Sequence, residues 1–370
     1  MINLKKPRPD REEFRKVILR QKVPSRVPLF ELIIDREIVR YFTENVFGGE
    51  WVEPSEAKDR KAQEKVLENN ICCWHRLGYD YLRLSGDFRF SASLSFASKN
   101  RSADDTAGLS RGTRKWVEEG KGAITSWEDF EKFSWPRLED FNLWPFEFTS
   151  ANLPEGMGIL ATFSQGIFEV LTNSLFGLET LGYLVYDNPE LVAAVTDRVG
   201  GLIYACYQKV LGLKNLLGFV QGDDMGFKTA TLVSPNVLKE HILPWHKKLA
   251  QLAHENNLLY ILHSCGNVET IMEDLISDVK IDAKHSFEDA IMPVAEFKRR
   301  YGDRIAVLGG VDVNKLCILN EADLRAYVRK ILDECAPGGG YALGTGNSVA
   351  NYIPVENYLA MLDEGAKYGE

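Results

Sequence analysis

Short apolar runs recur along this chain, at residues 24–33, 78–87, 158–164, 216–224, 258–266, 281–287, 305–312 and 340–347. Most are followed closely by a stretch with helical periodicity. An unbroken apolar run bounded by polar or glycine residues reads as a parallel strand buried on both faces. Parallel neighbours need a crossover, and a helix supplies it. Eight such units predict the α/β class, and within it a (β/α)8 TIM barrel. An open doubly wound sheet is the competing architecture. No G-x-G-x-x-G follows the first run, and LGTGNS on the last run lacks the P-loop lysine, so neither glycine-rich signature of a nucleotide site is present.

The helices carry their own punctuation. Ser126 caps SWEDFEKF, Pro189 opens the long helix over 187–212, and Ser234 with Pro235 opens 234–257, which Pro244 should kink or split. A charged helix over 11–22 should cover one end of the fold. The chain has 370 residues, whereas such barrels typically need about 250. Residues 1–370 are therefore expected to form one barrel domain with a long insertion, 88–155, after the second strand. The insertion holds Trp116, Trp127, Trp135 and Trp144. Long connections of this kind are usually lids or binding loops. The alternative is a subunit interface in a homodimer, since Trp and Tyr are enriched there too.

A formal net charge of −9 argues against nucleic acid or an anionic membrane as partner. No run approaches the roughly 18 apolar residues of a membrane span. MINLKKPRPDREEFRK lacks the apolar core of a signal peptide. The 6 cysteines show no disulfide framework, which fits free thiols in a cytoplasmic protein. Cys72, Cys73, Cys206, Cys317 and Cys335 read as packing residues.

In a barrel the carboxyl ends of the strands converge on one mouth. The run LLYILHSCG ends there in His263 and Cys265, two residues apart and so on one face. An imidazole and a thiolate so placed are half of a zinc site, although a lone pair of this kind can also be a buried thiol beside a hydrogen-bonded His. The other ends bring Glu31; Arg83, Ser85 and Asp87; Thr162, Ser164 and Gln165; Gln221, Asp223 and Asp224; His285 and Glu288; Asp312; and Thr345 and Asn347. Adjacent carboxylates point to opposite faces, so only one of Asp223 and Asp224 enters the mouth while strand geometry lasts. The parity of Gln221 favours Asp223. The other carboxylate would cap a neighbouring element.

These motifs, SRVPLFE, QGDDMGFKTATLVSPNVLKEHILPWHKKL, LLYILHSCGN, IAVLGGVD and YIPVENYLAML, resemble the uroporphyrinogen decarboxylase superfamily in order and spacing from residue 24 onward. The resemblance implies a (β/α)8 barrel. True decarboxylases of that superfamily carry an arginine-rich M-R-Q-A-G-R-Y stretch after the first strand, and here the region reads FELIIDREIVRYF. The cobalamin-linked methyltransferase branch carries H-x-C-G on the fifth strand and a further Cys in a G-C-G turn on the eighth. His263, Cys265 and Gly266 match the first motif, whereas Thr345 stands where the second Cys would be. The resemblance thus implies a zinc-dependent methyltransferase working with a corrinoid, such as methylcobalamin, on a partner carrier protein. Thr being a poor zinc ligand, the expected third ligand beside His263 and Cys265 is Glu31, or else Asp223. Asp223, His263 and Cys265 are the expected catalytic residues. Glu31, Arg83, Gln221, Asp224, His285 and Asn347 are expected to bind a small-molecule substrate. An aryl methyl ether, undergoing O-demethylation, would suit the aromatic insertion. A decarboxylase-like lyase, with Asp223 or Asp224 gripping the pyrrole N–H groups of a tetrapyrrole, is the alternative enzyme. A non-catalytic corrinoid- or tetrapyrrole-binding protein is the alternative outside enzymes.

Overall fold

The computed structural model describes residues 6–85, 100–117 and 122–368. Seven strands form one parallel sheet in the order β1 (Tyr81–Ser85), β4 (Gly158–Thr162), β5 (Leu216–Gly222), β6 (Leu259–His263), β7 (Ala283–His285), β8 (Ala306–Leu308) and β9 (Tyr341–Ala342). The intervening β2 (Asn100–Asp104) and β3 (Thr113–Val117) make a separate antiparallel hairpin. The eighth barrel position is occupied by residues 28–31. Leu29 bridges Leu343 in parallel, with Phe30 N–H donating to Leu343 C=O and Leu343 N–H to Pro28 C=O, both at 2.8 Å. Pro28 has no N–H to give, so the ladder does not extend through it toward the amino end, and beyond Phe30 the Thr345 N–H turns to the Glu31 side chain. On its other side the Tyr81 hydroxyl closes the seam. It accepts from Glu31 N–H at 2.8 Å and donates to Glu31 C=O at 2.9 Å. The fold is thus a (β/α)8 barrel, as the runs predict.

Backbones at the closure are in close contact. A Cβ on Gly344 would lie 1.7 Å from the Phe30 carbonyl oxygen, so this crossing admits only glycine. The helix Arg11–Ile18 buries Phe14, Val17 and Ile18. Arg11 donates to Met157 C=O at 3.0 Å just before β4, so this helix closes the amino ends of the strands and leaves the other end open. The long stretch 234–257 is split as its proline requires. A wide turn over Leu238–Ile242 precedes the helix Leu243–Glu255, with Pro244 in its first turn.

The insertion divides between two places. Arg111, at the turn of the β2–β3 hairpin, pairs with Asp35 and Glu37, and Asn351 donates to Asp105 and to Leu109 C=O. Asp35 and Asn351 follow the first and last strands, so the hairpin turn is tied to the mouth side. Trp135 and Trp144 instead lie under the guanidinium groups of Arg198 and Arg60, on helices Pro189–Val210 and Arg60–Leu77. The side chain of Trp116 lies outside the described residues, as do residues 86–99. Among the described residues no helix is long and apolar enough to cross a membrane.

Candidate metal centre

Register decides what faces the barrel mouth. Gly222 pairs with His263, and His263 with His285. Positions paired in a parallel ladder share a face, so these three face one way while Gln221, Leu262 and Lys284 face the other. Gln221 accordingly points at the outer helices, accepting from the Tyr207 hydroxyl at 2.9 Å. Its expected place in the mouth is corrected by that register.

Beyond the strand ends, the segments after β5 and β6 run side by side. Asp223 N–H donates to His263 C=O at 2.8 Å, Met225 N–H to Ser264 Oγ at 3.2 Å, and Gly226 N–H to Cys265 C=O at 3.2 Å. Gly226 and Gly266 meet here, and a Cβ on Gly266 would lie 2.3 Å from Gly226. This close approach sets Asp224 against Cys265, whose N–H donates to Asp224 Oδ1 at 2.8 Å. His263 Nε2 lies 3.4 Å from Cys265 Sγ and 3.5 Å from Asp224 Oδ1. The three ligand-type atoms, N, S and O, lie within 4.8 Å of one another. Three protein ligands and an open position are the usual catalytic zinc arrangement. Asp224 keeps a side-chain exposure of 38%, so solvent reaches the cluster.

The surroundings disfavour charge on this cluster where no cation balances it, and burial raises the Asp224 carboxyl in the same sense. Burial holds His263 well below the usual histidine range and lowers His285 to about 3. The nearby charge of His285 and, more weakly, those of Lys284 and Arg83 act on His263 in the same direction. Burial, reinforced by Asp224, pushes the Cys265 thiol up to about 12. A cation at the cluster reverses that logic, because it favours thiolate and carboxylate together. Two donors already aim at the sulfur, Asn347 Nδ2 at 3.3 Å and Ser286 Oγ at 3.4 Å. Ser286 achieves this with a φ of 88°, a conformation side chains rarely adopt.

The third group of the cluster is Asp224, a correction to the expectation of Glu31 or Asp223. Glu31 is fully buried with both oxygens engaged by Thr345: Oε1 accepts from the backbone N–H at 2.8 Å and Oε2 from the hydroxyl at 2.6 Å. Burial raises its carboxyl to about 8. Asp223 turns to the start of the helix Ile167–Val170, accepting from Phe168 N–H at 3.1 Å, Glu169 N–H at 3.0 Å and His246 Nε2 at 2.9 Å. It is the carboxylate that caps a neighbouring element, which places it away from the expected catalytic position. Its neighbour in sequence reaches the cluster. His285 lies beside His263 with ring centroids 4.9 Å apart and the rings tilted by 40°, and its Nδ1 lies 2.8 Å from His263 Nδ1. Asp87 lies outside the described residues.

Three residues here escaped the sequence reading, the Ser286 that donates to the Cys265 sulfur among them. Lys284 is buried and donates to the carbonyls of Ser264, His285 and Ser286, tying the ends of β6 and β7 together. Its alternation within a run already read as apolar and buried hid it. Glu169 stands near Asp224 with its carboxyl raised to about 8, by burial first and then by Asp224 and Asp223. Its signal was available, since a helix beginning at a strand's carboxyl end puts its first turn at the mouth.

Known proteins share this architecture and parts of the sequence. A methyltransferase from Methanosarcina mazei superposes with a TM-score of 0.68 over 97% of this chain and 99% of its own, at 17% identity. In sequence, a methylated-thiol–coenzyme M methyltransferase from Methanosarcina mazei is 26% identical over 184 residues, 50% of this chain and 47% of that protein. A uroporphyrinogen decarboxylase from Thioalkalivibrio sulfidiphilus is 33% identical over 81 residues, 22% of this chain and 23% of that protein. The chain therefore matches less than half the length of either curated relative. The family model described as uroporphyrinogen decarboxylase (URO-D) matches residues 149–368, which is more than half of the chain and includes β4 through β9 and the whole cluster. On that match the chain belongs to the uroporphyrinogen decarboxylase family.

Proposed function

We propose that this protein is a methyltransferase that moves a methyl group between a small methylated compound and a corrinoid held by a partner protein, at a zinc ion bound by Asp224, His263 and Cys265. The observation that carries the reading is the convergence of one N, one S and one O ligand atom within 4.8 Å of one another. Similarity to a relative named as a methylated-thiol methyltransferase supports the same direction. When bound, zinc supplies Lewis acidity, or lowers the pKa of a coordinated thiol or hydroxyl.

The chain's own residues do the rest. Asn347 and Ser286 donate to the Cys265 sulfur and ease negative charge on it. The Cys265 N–H, by donating to Asp224, orients the carboxylate toward His263. An oxygen in place of the second thiolate that the resemblance implies would leave the ion more electrophilic and more weakly held, so zinc is expected to be lost readily on purification. For an aryl methyl ether, the proposed substrate, the methyl would pass to the reduced cobalt of the corrinoid as the O–CH3 bond breaks, and the aryl oxygen would leave as a phenolate whose charge a zinc ion held by Asp224, His263 and Cys265 would ease. In the lyase alternative, gripping of pyrrole N–H groups falls to Asp224, because the oxygens of Asp223 are already engaged.

The test adds zinc back to purified wild type and to Cys265→Ala. The wild type is expected to bind about one zinc per chain and to exchange methyl groups with methylcobalamin, and the variant to do neither. Wild type that binds no zinc in excess metal, with Cys265→Ala retaining full activity, would sink the assignment. Release of carbon dioxide from a tetrapyrrole substrate would move it to the lyase.

A further inference from the structure

A chain of hydrogen bonds leads from the first strand to the cluster. Glu31 grips the backbone N–H and hydroxyl of Thr345 at 2.8 and 2.6 Å. The Thr345 carbonyl meets His285 Nε2 at 3.1 Å, and Gly310 N–H at 3.2 Å. His285 Nδ1 meets His263 Nδ1 at 2.8 Å, and His263 Nε2 faces Asp224 and Cys265.

The chemistry of the groups gives this chain a direction. A peptide carbonyl only accepts, so His285 carries its proton on Nε2. A neutral ring protonated there offers Nδ1 as a lone pair. His263 must then supply the proton between the two Nδ1 atoms, and its own Nε2 is left unprotonated. That lone pair points at the two other ligand atoms. The opposite order would set two lone pairs against each other at His285 Nε2 and the carbonyl oxygen.

We propose that His285 is a positioning residue that, held by the Thr345 carbonyl, locks His263 into the tautomer whose Nε2 lone pair faces Asp224 and Cys265. The inference rests on the metal reading for its purpose and on the hydrogen-bond chain for its existence. It gives Glu31 and Thr345 a role without making either a ligand: they fix the carbonyl that sets the direction. Partners of this kind, bonded to the second nitrogen of a ligating histidine, commonly change metal affinity by roughly 10–100-fold.

The test has two readouts on the full chain. Nitrogen-15 NMR of the histidine side chains in metal-free protein, with His263 assigned by its loss in His263→Gln, should show His263 protonated at Nδ1. Zinc affinity is measured by competition with a chromophoric chelator. His285→Leu, which offers no acceptor, should mix the two His263 tautomers and weaken zinc binding by roughly 10–100-fold. His285→Asn, whose amide oxygen can stand where Nδ1 accepts, should restore the tautomer and most of the affinity. A wild-type His263 protonated at Nε2 overturns the proposal, even where the Leu variant fails to fold. So does a folded Leu variant with unchanged tautomer and affinity. A wild type showing the Nδ1–H tautomer but taking up no zinc upholds the relay and overturns the metal reading instead.

Discussion

Two adjacent carboxylates do different work here, and substitution should separate them. Asp223 satisfies two helix N–H groups and a buried His246 with no exposure of its own. Asp223→Ala leaves those donors unpaired in the interior, at a cost on the order of 3 kcal/mol. Thermal melts should show a loss of several degrees, with zinc uptake preserved in the chains that fold. Asp224→Ala should give the reverse, a melting temperature near that of wild type and a large loss of zinc. Equal loss of stability in both variants would refute the division. The same site shows why the sequence picked the wrong neighbour. The run 216–224 is apolar on both faces, as a strand between barrel and helices must be, so it carries no period-2 signal to say which parity looks inward.

At the scale of elements, barrel closure rests on the contact between residues 28–31 and the segment after β9. Gly344→Ala forces a Cβ against the Phe30 carbonyl, so a destabilisation of about 3 kcal/mol or more is expected in denaturant titration. A fully stable Ala variant would show that this crossing can open without cost. The hairpin offers the contrasting case. Arg111 joins Asp35, Glu37 and Asp105 around its turn. Arg111→Ala should speed amide hydrogen exchange over residues 100–117 while exchange in β4 to β8 stays as in wild type. Unchanged exchange in the hairpin would mean that its other ties, Asn351 and the Arg114–Tyr352 contact among them, hold it without Arg111. The hairpin was not legible as such, because no short turn signal of the Asn-Gly type joins its strands and its neighbours are Ser-rich.

The whole molecule should feel the buried Glu31 carboxyl as part of its pH dependence. Glu31 titrates near 8 when folded, against an ordinary value of 4.5. Below about pH 4.5 both states are protonated and the stability is fully present. Between there and about pH 8 the unfolded chain sheds a proton that the folded chain keeps, so stability falls as pH rises. Glu31→Gln removes this part of the slope, while the part due to Glu169, raised in the same way, remains. Melting temperatures compared from pH 5 to pH 9 should therefore diverge, the variant losing less than wild type toward the alkaline side. Parallel curves would place the Glu31 carboxyl in its ordinary range.

The amino-acid sequence by itself determined the alternation of strands and helices, most of the helix ends, the end of the barrel where polar residues gather, and the pairing of His263 with Cys265. Each of these depends on residues close together in the chain: an apolar run, a capping Ser, a proline in a first turn, two side chains at i and i+2. Only the tertiary structure decided that Asp224 completes the cluster, that Glu31 grips Thr345, and that Gln221 and Asp223 face the outer helices. Those outcomes depend on the register of strands tens to hundreds of residues apart. Parallel strands buried on both faces pair through their backbones, so their side chains announce neither the register nor the face in advance.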